Sequence, residues 1–441
     1  MAGVGFKLNK IFEKKTITAG TLGVLSSPLT VIGPTFFFLI VMFSVNGLLR
    51  MWQVSDTDVS FFITTFTNIS LVAILISAFV GPVLSRYISD KVFEEKEGDV
   101  SASLYGMMLC GSIVAAFVGG FLCFVVRNQN GTKWTFLVLY YLSAVLLVNL
   151  FNLSVYMSVI KKYFKICIAY AAGLIVFLIV TYICYPICGL EVGCSLYLAI
   201  SCSLLIMDLL LVCFSLMAFG APGKKYFDFM QYFARYPYLV WSGMALFVGL
   251  FVSNMLQYNT GIFMAILIHL PGMVVFEIIM KGFFYGKYTR YLSVIQNGTF
   301  DLIDKERETL QNCVRLQLFL VYGIQLTVTL VSVALVNVLA RDRGFASEQV
   351  DRFIMLAIGM FFVFCMYDVI IILYYFSGYK EAGFIATVFA MAVVIATLVC
   401  GELGAKYYIL PLPLGGMVGW IASSLILKIK LRNINAFILC K

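Results

Sequence analysis

Four ionisable side chains lie inside long apolar stretches of the chain: Asp208, His269, Glu277 and Asp368. Placing an Asp, Lys or Arg at the middle of a bilayer costs ~2.5 to 3.5 kcal/mol on insertion scales, so such groups are expected to face an aqueous cavity or a partner. Two chemistries use them there. One is the binding and release of a proton or cation that drives transport, and the other is hydrogen bonding to a polar substrate in a central cavity. The plainer alternative is a buried polar contact that pins two helices together. Glu277 has such a contact within reach, because Lys281 follows four residues later on the same helical face. On a straight helix His269 and Glu277 stand about 12 Å apart along the axis and about 80° around it, so they line one path without touching. A lone intramembrane His is a thin basis for general base catalysis, which disfavours a membrane-embedded acyltransferase built on His269.

The elements that must position these groups are membrane spans. Hydrophobic residues make up 62% of the chain and charged residues 12%, a composition that leaves too little polar surface to enclose a soluble core. A hydrocarbon layer about 30 Å thick takes roughly 20 apolar residues of helix, since no backbone group can stay unpaired in lipid. Apolar runs predict about twelve spans: 20–49, 58–84, 101–126, 134–158, 164–187, 195–219, 236–257, 261–285, 314–339, 353–376, 381–400 and 408–428. The expected fold class is an all-α polytopic membrane protein.

Charge sets the expected orientation. Of 31 Lys and Arg residues, 24 fall on one side of these spans and seven on the other. The positive-inside rule then puts both termini in the cytoplasm. The formal charge of +9 is carried in short clusters between spans and forms no continuous stripe, so nucleic acid is not an expected partner. Ser85-Arg86-Tyr87-Ile88-Ser89 after span 2 returns as Thr289-Arg290-Tyr291-Leu292-Ser293 after span 8, 204 residues on. Each is read as the start of a charge-rich interfacial elbow with its Tyr at headgroup level. The repeat implies two parallel six-helix lobes, 1–220 and 233–441, joined by a cytoplasmic linker at 221–232, with the substrate path between them. Arg86, Lys91, Lys287 and Arg290 on the two elbows are the expected docking residues for a cytosolic partner.

Gly33-Pro34 in span 1 and Pro271 in span 8 are expected hinges, because proline removes a helix hydrogen bond and permits a kink. The aromatic clusters Tyr140-Tyr141, Tyr374-Tyr375-Phe376 and Tyr407-Tyr408 read as interfacial belts. The twelve cysteines lie mostly within apolar runs without metal-ligand spacing, so no metal and no cofactor is expected. Gly220-Ala221-Pro222-Gly223-Lys224-Lys225 has neither the spacing nor the Ser/Thr of a phosphate-binding loop, and no hydrolase or zinc motif is present, which excludes an ATPase.

Met1 to Lys10, with Ile32-Gly33-Pro34, resembles the start of the PelG family, membrane export components of Pel exopolysaccharide systems. Arg86 to Asp90 with Glu94 and Ser101 to Gly106, and Phe284 to Tyr291 with Asn297-Gly298-Thr299 and Ile303, resemble that family's segments after spans 2 and 8. The family is similar to the MOP flippase superfamily of Wzx and MATE transporters. The resemblance implies twelve helices in two lobes in a bacterial cytoplasmic membrane. It further implies export of a nascent N-acetylhexosamine-rich polysaccharide made by a cytosolic glycosyltransferase, with small membrane subunits as further partners. A lipid-linked oligosaccharide flippase or an ion-coupled multidrug extruder is the alternative within the same fold.

Overall fold

The computed structural model describes residues 37, 40–130, 132–160, 163–255, 261–279, 283–342 and 347–435. These residues are helical with short connections and contain no strand. The helices are α1 (Ile40–Met51), α2 (Asp56–Phe93), α3 (Glu97–Asn130), α4 (Trp134–Ile160), α5 (Tyr163–Tyr182), α6 (Val192–Phe219) and α7 (Met230–Arg235), followed by α8 (Pro237–Met255), α9 (Gly261–Ile268), α10 (Leu270–Ile279), α11 (Tyr285–Asn297), α12 (Phe300–Asp342), α13 (Ser347–Tyr375), α14 (Tyr379–Leu403) and α15 (Pro411–Arg432). A π turn, Ile183–Ile187, extends α5. Among the described residues nine helices are long and apolar enough to cross a membrane, and three shorter apolar helices, Ile40–Met51, Pro237–Val252 and Leu270–Ile279, overlap the expected spans 1, 7 and 8.

Local chemistry explains the helix ends. Ser55 caps α2 by accepting the backbone N–H of Asp58 at 3.2 Å, and Asp56 and Asp58 set negative charge against the positive end of the helix dipole. Gly220 ends α6 at φ +79° while its N–H still reaches the Leu216 carbonyl, a backbone turn that glycine makes without steric cost.

The described residues form two compact units, one ending at Val240 and the other starting at Trp241. Each unit has the same internal wiring. In the first, α4 is the hub, touching α2, α3 and α6, with α5 packed on α6. In the second, α13 is the hub, touching α9, α12 and α15, with α14 packed on α15. The two hubs are the most enclosed spans, with 67% and 78% of their apolar windows buried inside the protein. The third helices, α3 and α12, have the lowest burial at 22% and 17%, and show lipid-type faces such as Phe117, Phe121, Leu316 and Phe319. Helix α15 approaches its neighbours through glycine. A Cβ on Gly415 would lie 2.2 Å from Val393 Cγ2, and one on Gly419 would lie 2.5 Å from Met366 Sδ. Small residues of this kind let membrane helices come close without a hydrophobic drive between them.

The elbows differ from expectation. At 38 residues, α2 is about 57 Å long, so Ser85 to Phe93 continue the span-2 helix beyond the hydrocarbon layer and form no separate interfacial helix. The second elbow is a helix of its own, α11. Neither tyrosine is a headgroup anchor, because Tyr87 and Tyr291 are both fully buried.

Candidate functional site

In the first unit, Asp208 on α6 is buried, and neither carboxylate oxygen has a hydrogen-bond partner among the described residues. It acts electrostatically on Tyr170, whose hydroxyl sits 2.9 Å from Ser154 Oγ. A second orphan lies on the hub helix. Asn152 is 1% exposed, its amide N and O both lack partners among the described residues, and it sits so close to α3 that a Cβ on Gly111 would meet its Nδ2 at 2.7 Å.

The second unit carries His269, Glu277 and Asp368. Asp368 on the hub α13 is also 1% exposed, with both oxygens unpartnered among the described residues. It acts electrostatically on Tyr322 of α12, whose hydroxyl donates to the Cys365 carbonyl at 2.7 Å. Asn152 and Asp368 both lie on the hub helices, α4 and α13. Each hub therefore holds a buried polar group without a hydrogen-bond partner among the described residues. Buried polar groups are ordinarily satisfied, so orphans of this kind point to an occupant or a reaction.

His269 does not lie within a continuous helix. It is a turn residue between α9 and α10, so the straight-helix geometry expected for His269 and Glu277 does not apply. The ring is fully buried, its Nδ1 is 2.8 Å from the Ala265 carbonyl, and Nε2 has no partner among the described residues. With Nδ1–H donating, the neutral ring presents Nε2 as an acceptor. Its ring centroid is 6.0 Å from that of Phe364, one turn before Asp368, with the two rings tilted by 43°. Gln325 on α12 crosses the break with its amide, and Thr329 holds the amide nitrogen at 3.0 Å. Glu277 is half-buried on α10. Lys281, its expected partner, and the hinge residues Gly33 and Pro34 lie outside the described residues, whereas Pro271 falls at the α9–α10 break. Among the described residues no group of His, Cys, Asp and Glu is arranged to hold a metal ion.

The elbow residues are partly committed inside the protein. Lys91 is buried, with Nζ 3.0 Å from Asp228 and 3.6 Å from Glu94. The Tyr87 ring meets Tyr232 edge-on at 5.1 Å and Phe229 at 6.4 Å, and the Gly223 N–H donates to the Gly98 carbonyl at 2.8 Å. The segment expected as the linker, 221–232, thus contacts the first elbow. Tyr291 does the matching task at the second, donating to Asn435 Oδ1 at 2.5 Å, while Asn435 Nδ2 donates to Asp304 at 3.1 Å. In both units the repeated tyrosine grips the chain that leaves the last helix. Arg86 pairs with Asp90 at 3.1 Å, and Arg290 pairs with Glu306 at 2.9 Å. Lys287 is exposed.

Two comparisons bear on this architecture. The sequence matches the PelG family of exopolysaccharide exporters (EPS-E) over residues 1–257 and 255–438. The chain belongs to that family. No curated protein matches it. Among solved structures it is similar to an outward-facing multidrug resistance MATE family transporter of the MOP superfamily, with a TM-score of 0.61, 10% identity, and 93% and 96% of the two chains covered. It is also similar to a MATE protein in the straight conformation, with a TM-score of 0.63, 10% identity and 93% and 96% coverage. A point-mutant form of the Vibrio cholerae MATE transporter VcmN gives a TM-score of 0.62 at 14% identity, covering 95% and 99%. At these identities the likeness is one of fold. The chain is a multi-pass membrane transporter of the PelG family with a MATE-like helical fold.

Sequence reading missed Asn152, Gln325 and Thr329. Amides and hydroxyls carry no formal charge and commonly serve as contacts between membrane helices, so only their three-dimensional company marks them.

Proposed function

We propose that this PelG-family exporter moves a nascent N-acetylhexosamine-rich polysaccharide across a bacterial cytoplasmic membrane, between its two six-helix lobes, as a cytosolic glycosyltransferase extends the polymer. The family match over the whole chain is the observation that carries this reading. The site chemistry supports it. Asn152 and His269 are buried groups of low charge with hydrogen-bonding atoms that have no partner among the described residues, suited to a polymer rich in hydroxyls and amides and without strong fields to trap it. Asp208 and Asp368, with Glu277, supply polar contacts or cation coupling. The glycosyltransferase docks on the elbows through Lys287, Arg290 and Arg86, with small membrane subunits completing the complex; Lys91 stays within the protein. The test is secretion. The chain should restore polymer export to a strain that lacks its own exporter, and charge reversal at Lys287 and Arg290 should release the glycosyltransferase on co-purification. Unchanged co-purification refutes the docking, and failure to restore export refutes the transport reading.

The likeness to multidrug MATE transporters supports a second reading, an ion-coupled extruder of small cations using Asp208, Glu277 and Asp368. Resistance conferred on a pump-deficient host would favour it.

A further inference from the structure

Span 8 is broken between α9 and α10, and the break is bridged by another helix. In an unbroken helix the Gly272 N–H would donate to the Ile268 carbonyl four residues back. Here the Gly272 N–H donates to Gln325 Oε1 at 3.0 Å, and Gln325 Nε2 donates to the Ile268 carbonyl at 3.3 Å. One side-chain amide from α12 is spliced into the missing helix bond, acceptor to one half and donor to the other. Pro271 contributes by having no N–H of its own to close the turn. The splice is built to fit. Thr329 Oγ1 accepts from the same Nε2 at 3.0 Å and donates to the Gln325 backbone carbonyl at 2.9 Å, which fixes the amide's orientation. Gly272 leaves the room: a Cβ there would stand 2.1 Å from Gln325 Oε1 and 3.0 Å from Phe364 Cζ.

The break also divides span 8 between neighbours. α9 packs chiefly on α13, whereas α10 packs on α12. His269 is the residue at the joint, with its backbone N–H on Ile266 and its carbonyl accepting from Met273, both at 3.0 Å.

We propose that Gln325 is a positioning residue of the exporter, its amide setting the joint of span 8 and thereby the direction in which the His269 ring presents Nε2. Withdrawing the amide leaves the Gly272 N–H and the Ile268 carbonyl either unpaired or bonded to each other. In both cases the joint changes its angle and the imidazole moves with it. The role rests on the transport reading for its activity assay, but not for its structural one.

Three substitutions separate hydrogen bonding from packing. Gln325→Met keeps length and volume and removes both polar atoms. Gln325→Glu in its neutral form keeps an acceptor for the Gly272 N–H and one donor for the Ile268 carbonyl, and gives up only the second donor, to Thr329. Gly272→Ala expels the amide sterically. In a strain dependent on this chain for secretion, Q325M and G272A should lower polymer export per inserted molecule by at least about tenfold, and Q325E should retain most of it. Amide hydrogen exchange across residues 266–276 of the purified protein should change in Q325M and G272A and match wild type in Q325E. Wild-type export and unchanged exchange in Q325M overturn the proposal. Should Q325M fail to accumulate, G272A decides by the same two readings. A wild-type chain that secretes nothing refutes the export reading instead, and the exchange measurement still tests the splice.

Discussion

The strap between Lys91 and Asp228 makes a prediction whose size follows from burial. Lys91 is 9% and Asp228 18% exposed at the side chain, with Nζ 3.0 Å from the carboxylate. Removing one partner of a buried pair costs about 3–5 kcal/mol, most of it the desolvated charge left behind. Asp228 keeps some solvent and Glu94, the second partner, is 41% exposed, so ~2–3 kcal/mol is the expected loss for Lys91→Met. For a unit of this size that lowers the melting temperature by ~4–12 °C. Arg86→Met is the control one turn away. Its pair with Asp90 is an i,i+4 contact at 40% and 25% exposure, worth ~0.3–0.5 kcal/mol and ~1–2 °C. The double variant K91M/D228N should recover most of the loss, because it no longer leaves a carboxylate uncompensated. Thermal unfolding of the detergent-purified protein, followed by the loss of its monodisperse peak, reads all three. Equal and small shifts for K91M and R86M would show that Lys91 does not hold the strap, and would return it to the elbow surface as a docking residue.

Other outcomes follow from the same contacts. Asn152→Leu and Asp368→Leu should each raise thermal stability by up to ~1–3 kcal/mol, since each removes an orphaned buried polar group, while lowering polymer export; stability gained with export intact would remove the hub groups from the mechanism. Gly415→Val should cut the amount of inserted protein several-fold, because the new side chain meets the Val393 backbone, with its N 3.0 Å from the Cβ position, and backbone cannot rotate aside; normal accumulation on a membrane-fraction blot would contradict this close approach. Tyr291→Phe loses one hydrogen bond to Asn435, ~0.5–1.5 kcal/mol. Limited proteolysis should then clip the C-terminal segment faster than in the wild type, and an unchanged rate would mean that Asn435 is held elsewhere.

Much of the fold was legible because lipid leaves a chain few options. Apolar runs of the right length must be helices. Direction was harder. The motif at Arg86-Tyr87 and Arg290-Tyr291 marked an elbow, but only packing shows that both rings turn inward to hold the chain leaving the last helix. Charged site candidates stood out by their cost in a bilayer, and Asp208, His269 and Asp368 are indeed buried. The amides did not stand out. Gln325 is 53 residues from Gly272 along the chain, and nothing local in either stretch specifies their bond. Asn152 is marked only by its burial and its two unpartnered amide atoms among the described residues.

The central claim is directional movement of polymer, and inverted membrane vesicles test it most directly. Vesicles carrying this chain and its glycosyltransferase, fed a labelled nucleotide-activated N-acetylhexosamine, should accumulate labelled polymer in the lumen, protected from an added glycosidase until detergent is supplied. Label that stays fully accessible to the glycosidase, as in vesicles without the chain, would contradict the account.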